Sequence, residues 1–164
     1  MSEKTTRIMF FCLGNICRSP LAEALFRHKV SARGLDDRFH IESSGTSAYH
    51  VGESPDPGSQ KVARERLGID ISSQRSQQLV DEHHTEFDYL VAMDRSNRRQ
   101  ALRMEGADLE RVLLLRNFES KEARRGTDVP DPYGGRTSQF GRVYDIIDRC
   151  TDNLLDHLLE EGRK

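Results

Sequence analysis

Two hydrophobic periods alternate along the chain. Short apolar runs, suited to strands buried on both faces, are followed by stretches whose apolar residues recur every three or four positions, as on one side of a helix. The run at 7–11 predicts a first strand. Ser19-Pro20 then opens a helix with Leu21, Ala22, Leu25, Phe26 and Val30 on one face, and Arg33-Gly34 marks its stop. A proline in a first turn forfeits no helical hydrogen bond, and a glycine is the commonest residue just past a helix end. A second strand is predicted over 39–43, followed by a polar loop over 45–58 that Gly52, Pro55, Pro57 and Gly58 shape as turns. A helix over 59–67 ends at Gly68, and strands at 87–93 and 111–115 flank a short helix at 96–104. The last helix, 138–160, sets Val143, Ile146, Ile147, Cys150, Leu154, Leu155 and Leu158 on one face, with Asp145, Arg149, Asp152, Asp156 and Glu160 opposite. Such alternation predicts an α/β fold: a single domain whose four-stranded parallel sheet carries helices on both faces. No repeat, low-complexity tract or linker interrupts it.

Composition narrows the class. A chain of 164 residues suits one domain and buries enough surface to fold without disulfides or a structural metal. The net charge of −2, with both signs mixed over the 32% of residues that are charged, points to no nucleic-acid partner and no membrane surface. Three cysteines without zinc-ligand spacing favour a reducing compartment. The start, Met1 through Arg7, leads into an apolar run at 8–13, too short for an export signal or a membrane span, so a cytoplasmic location is expected. Cys150 reads as core, His83-His84 as a solvated helix end rather than a metal site, and Arg95, Arg98, Arg99 and Arg103 as a charged helix face.

The chemistry concentrates in Cys12-Leu13-Gly14-Asn15-Ile16-Cys17-Arg18-Ser19-Pro20, between the first strand and first helix. In open α/β sheets ligands bind at the carboxyl ends of strands, and a loop turning its N–H groups inward toward a helix N-terminus makes a phosphate-binding loop without a metal. Gly14 is expected to take a backbone conformation that residues with a Cβ resist, and Asn15 to tolerate left-handed geometry and tie the loop with its amide. Arg18 offers a planar fork to two phosphate oxygens. The same field favours the thiolate of Cys12, a nucleophile, and Ser19 can donate a hydrogen bond to that sulfur. Asp131, between Pro130 and Pro132 in a loop before the last helix, can protonate a leaving oxygen; alone it would read as an Asp-Pro turn.

The Cys12–Pro20 and Asp131–Tyr133 segments together resemble the low-molecular-weight protein tyrosine phosphatase family. So do Ser43-Ser44-Gly45-Thr46, the stretch from Val51 to Pro57, and that from Phe87 to Asn97. The resemblance implies Cys12 as nucleophile, Arg18 as phosphate clamp and Asp131 as general acid, with the loop residues Leu13, Gly14, Asn15, Ile16, Cys17 and Ser19 around the phosphate. It implies that Asn15 and Ser43 bond to each other, that Leu13, Tyr49 and Tyr133 line the cleft for the substrate ring, and that Cys17 can form a reversible disulfide with Cys12. The expected partner is a phosphotyrosine-containing protein or peptide, the expected state a monomer or weak dimer, and neither metal nor other cofactor is implied. Two positions depart from the family pattern: Gly134 stands where many relatives have a second tyrosine, and Gln74 where they often have histidine. Other readings are a protein-arginine phosphatase, whose family members carry threonine where this chain has Ile16, an arsenate reductase, for which residues 80–94 lack the extra cysteines, and a non-catalytic phosphate-binding or redox-sensing module.

Overall fold

The computed structural model describes residues 4–162; Met1, Ser2 and Glu3 of the opening segment, and Arg163 and Lys164, lie outside the described residues. Four parallel strands form one sheet in the order β2-β1-β3-β4. They are β1 (Thr6–Cys12), β2 (Phe39–Gly45), β3 (Tyr89–Ala92) and β4 (Val112–Leu114). The helices are α1 (Arg18–Ala32), α2 (Pro57–Leu67), the single turn α3 (His83–Glu86), α4 (Arg95–Leu102) and α5 (Thr137–Glu161), joined by short 3-10 turns.

The continuous apolar run of β1 follows from its inner position, since a strand covered on both faces needs no polar alternation. Ile8, Phe10 and Cys12 point into a core shared with α1, α2 and α5. Met9 and Phe11 point the other way, into a smaller core with Leu90, Ala92, Val112, Leu114 and Ala101 of α4. Every apolar residue assigned from sequence to the inner stripe of α5, Cys150 included, is buried there. Phe10 meets Phe26 of α1 edge to face at 5.4 Å between centroids, the arrangement the ring quadrupoles favour. Among the described residues, no helix is long and apolar enough to cross a membrane.

The predicted elements all form, with shifted ends. Each of α2 and α4 begins earlier than periodicity suggested because an aspartate caps it: Asp56 accepts from Gly58 N at 2.8 Å, and Asp94 from Asn97 N at 2.7 Å. Strand β3 is shorter than the predicted 87–93, because Phe87 closes α3 and the Asp88 carboxylate accepts from Arg7 N at 2.8 Å. The expected solvated end at His83-His84 is wrong. Both rings are buried: His83 packs edge-on against Phe87 and its Nδ1 accepts from Val80 N at 3.0 Å, and burial pulls His84 below the usual histidine range. The arginine-rich α4 is a mostly exposed face, though Arg98 donates to the Val112 carbonyl at 3.0 Å.

The order β2-β1-β3 places a topological switch at the carboxyl ends of β1 and β3. The chain leaves β1 into α1 on one face and leaves β3 into α4 on the other, which opens a crevice between them. Residues 12–18 and Asp94 lie at its mouth.

Candidate active site

The loop from Cys12 to Arg18 is held from outside by its carbonyls. The Cys12 carbonyl accepts from Thr46 N, that of Leu13 from Ser47 N and Oγ, and that of Gly14 from Ser76 Oγ, at 2.9–3.0 Å. Farther round, the Ile16 carbonyl accepts from Asp56 N at 2.8 Å and the Cys17 carbonyl from Ser59 Oγ at 2.9 Å. A trans peptide points its C=O and the next N–H in opposite directions. Carbonyls fixed outward therefore turn the N–H groups of Leu13, Gly14, Asn15, Cys17 and Arg18 toward the inside. Asn15 N donates to Cys12 Sγ at 3.3 Å, as that geometry requires.

Asn15 locks the turn. It is the described non-glycine residue with positive φ, at 56°, a region asparagine tolerates better than most. The expectation for Gly14 is corrected here: its φ is not positive, and what its missing side chain permits is the close approach of His50, whose Cδ2 would lie 3.0 Å from an added Cβ. Asn15 Nδ2 donates to Ser43 Oγ at 3.0 Å and to Ser19 Oγ at 2.8 Å, while its Oδ1 accepts from Gln77 N at 3.0 Å. Ser43 Oγ in turn donates to Glu23 Oε1 at 2.8 Å. Ser19 Oγ stands 3.1 Å from Cys12 Sγ. Asn15, Ser19 and Ser43 thus support the loop from behind, whereas Cys12, Leu13, Gly14, Ile16, Cys17 and Arg18 face a cleft of about 350 Å³.

Arg18 is almost wholly buried, its side chain 3% exposed. Nη1 donates to Asp94 Oδ2 at 2.7 Å and to the Val129 carbonyl at 2.9 Å, and Nη2 lies 3.9 Å from Asp131 Oδ2. Its buried Nε has no hydrogen-bond partner among the described residues. Burial opposes the charge, but the sulfur of Cys12 together with Asp94 and Asp131 outweighs it and holds the guanidinium above its usual range. Burial, with Asp56, Cys12 and Asp131 adding to it, pushes the Cys17 thiol far up.

The rest of the cleft comes from two loops: Ser47, Tyr49 and His50 after β2, and Asp131 and Tyr133 before α5. Asp131 is half exposed and its Oδ1 accepts from Tyr133 N at 3.1 Å. The segment before it is pinned. Val129 N donates to the Met93 carbonyl at 2.9 Å, and the Asp128 carbonyl accepts from Arg116 at 2.9 Å. The Asp128 carboxylate receives Arg95 N, Nε and Nη2 at 2.9, 3.0 and 3.2 Å. Tyr133 faces the His50 ring at 5.9 Å between centroids, and Tyr49 is 84% exposed at the rim. Gln74 donates to the Pro20 carbonyl at 3.3 Å, bracing the first turn of α1 rather than the loop.

Several site residues have no strong signal in the sequence. Asp94 lies between a predicted strand and a predicted helix with no role of its own, and His50 and Ser47 read as polar residues of a loop. Gly45 is required because an added Cβ would sit 2.8 Å from the Leu13 carbonyl oxygen and 3.0 Å from Asn15 N.

Comparison with known proteins places the whole chain in one family. The family model for low molecular weight phosphotyrosine protein phosphatase matches residues 7–164. The phosphatase of that description from Dictyostelium discoideum is 32% identical over 171 residues, covering 96% of each chain. Low molecular weight protein-tyrosine phosphatase A of Mycobacterium tuberculosis is 38% identical across 91% of this chain and 89% of its own. The crystal structure of a protein tyrosine phosphatase from Entamoeba histolytica superposes with a TM-score of 0.87 at 33% identity, covering 98% of this chain and all of that one. By its sequence, its sheet and the full length of these matches, the chain belongs to the low molecular weight phosphotyrosine protein phosphatase family and is a hydrolase of that kind.

Proposed function

We propose that this enzyme hydrolyses phosphotyrosine in proteins and peptides through a phosphocysteine on Cys12. One observation carries the reading: a buried cysteine sulfur on a ring of inward N–H groups, beside an arginine whose buried Nε is uncommitted. Such an array is complementary to three phosphoryl oxygens and stabilises the charge that spreads over them in the transition state.

In the first step Cys12 Sγ attacks phosphorus and the bond from phosphorus to the tyrosyl oxygen breaks. Asp131 gives its proton to that oxygen, so tyrosine leaves neutral. In the second step water attacks phosphorus, Asp131 takes its proton, and the P–S bond breaks with the sulfur received by the Ser19 hydroxyl, 3.1 Å away. Asp94 and the Val129 carbonyl fix the Arg18 fork so that the phosphoryl group need not reorganise it. Leu13, Ile16, Tyr49 and Tyr133 supply apolar walls for an aryl group, and Ile16 offers no polar atom to a guanidinium.

The test is a comparison of kcat/KM on matched phosphotyrosine, phosphoserine and phosphoarginine peptides, with Cys12→Ser as control. Phosphotyrosine is expected to be preferred, and Cys12→Ser to be inactive on all three. A higher value for phosphoarginine, or sustained turnover by Cys12→Ser, would overturn the reading.

A further inference from the structure

Beside the cleft lies a second groove of about 420 Å³, and the two share Ile16, His50 and Tyr133 as their common wall. A chain that places its phosphotyrosine ring against Tyr133 therefore crosses the ridge formed by His50 and Tyr133 and enters this groove with an adjoining residue. Pro55 and Pro57 stiffen its side, so it is present before any ligand arrives.

Its charge is one-sided. Glu53 and Asp56 line it, and no lysine or arginine does among the described residues. Glu53 is 58% exposed in its side chain and engages His50 Nδ1 through Oε2 at 2.7 Å. Asp56 uses Oδ1 to cap α2. Each carboxylate keeps one oxygen outside these bonds.

We propose that this groove is a substrate subsite that takes an arginine or lysine next to the phosphotyrosine, so that the enzyme selects phosphotyrosine flanked by a basic residue. The inference rests on the function proposed above. The phosphate would be read by the Cys12 loop and the flanking cation by Glu53 and Asp56, while the stem of the basic residue lies along the prolines.

The experiment uses matched phosphotyrosine peptides carrying Arg, Ala or Glu at each position on either side, with p-nitrophenyl phosphate as a substrate that cannot reach the groove. Wild type should favour Arg over Glu at one flanking position by about tenfold in kcat/KM, the scale of two exposed charge contacts. That ratio should narrow in high salt. The variant Glu53→Gln/Asp56→Asn should bring the ratio close to unity and leave p-nitrophenyl phosphate turnover unchanged. Gln retains an acceptor for His50, and Asn caps a helix as well as Asp does. In a second variant, Ser54→Arg, the preference should move toward Glu. Turnover indifferent to the flank, or a preference that persists in the double variant, overturns this inference alone. Failure to turn over any phosphotyrosine peptide overturns the phosphatase reading and this one with it.

Discussion

The three cysteines show how burial and field separate residues of one type. Cys150 sits on the inner stripe of α5 and burial pushes its thiol up to about 12, while Cys17 is held higher still by burial, Asp56, Cys12 and Asp131. If Cys17 resolves an oxidised Cys12, as the family resemblance implies, it does so slowly: once peroxide converts Cys12 to a sulfenic acid, Cys17 must attack as a thiolate to close the disulfide. Because its proton is held so strongly, the thiolate fraction, and with it the rate of closure, should rise about tenfold per pH unit across the neutral range. Mass spectrometry of the Cys12–Cys17 linkage after a peroxide pulse at several pH values checks this. A rate independent of pH, or full recovery of Cys17→Ser at the wild-type rate, would show that Cys17 does not resolve the oxidised state. At this scale the sequence is most informative where chemistry and local position coincide, as at Cys12, Arg18 and Asn15. Asp94 carries no such signal, because it meets Arg18 only through the pairing of β1 with β3, 76 residues apart.

Among the elements, the loop before α5 depends most on remote anchors. Asp131 is half exposed, and its placement relies on Asp128, which the start of α4 holds through three bonds from Arg95. Arg95→Ala should loosen Asp131, the proposed general acid, without touching the loop from Cys12 to Arg18. The expected result is a loss of about tenfold in kcat on phosphotyrosine, part of the contribution a general acid makes. The loss should be smaller for p-nitrophenyl phosphate, whose leaving group needs less protonation, with KM little changed and partial rescue by Arg95→Lys. Equal slowing of both substrates would mean that the clamp supports the fold rather than the acid. The strand and helix order was readable from periodicity, since the central strands β1 and β3 are apolar runs covered on both faces. The ends were less so: caps at Asp56 and Asp94 extend helices beyond their apolar stripes, and His83-His84 looks polar in a string yet both rings are buried, His83 edge-on against Phe87.

For the molecule as a whole, one buried carboxylate ties the acid loop to the long helix. Glu119 is 2% exposed and bridges Arg116, at 2.7 Å, to Arg149 of α5, also at 2.7 Å, while Arg116 holds the Asp128 carbonyl. The bonds from Arg149, opposed by burial and reinforced by Arg116, hold its carboxyl below the usual glutamate range. Its contribution to stability is therefore complete above the unfolded glutamate value and is lost as pH falls through the depressed folded one. Glu119→Gln should lose on the order of 3 kcal/mol at neutral pH, with the gap from wild type closing in acid, as denaturant titrations at several pH values would show. A gap that does not close would mean that the carboxylate charge is not what stabilises the fold. Where the phosphoryl group goes is decided by Asp131→Ala. Loss of the base should leave the phosphoenzyme long-lived after a burst with p-nitrophenyl phosphate. Rapid acid quench and peptide mass spectrometry should then find one phosphoryl group, on the sulfur of Cys12. A phosphoryl group on any other residue, or continued turnover of an enzyme that never carries one, would contradict it.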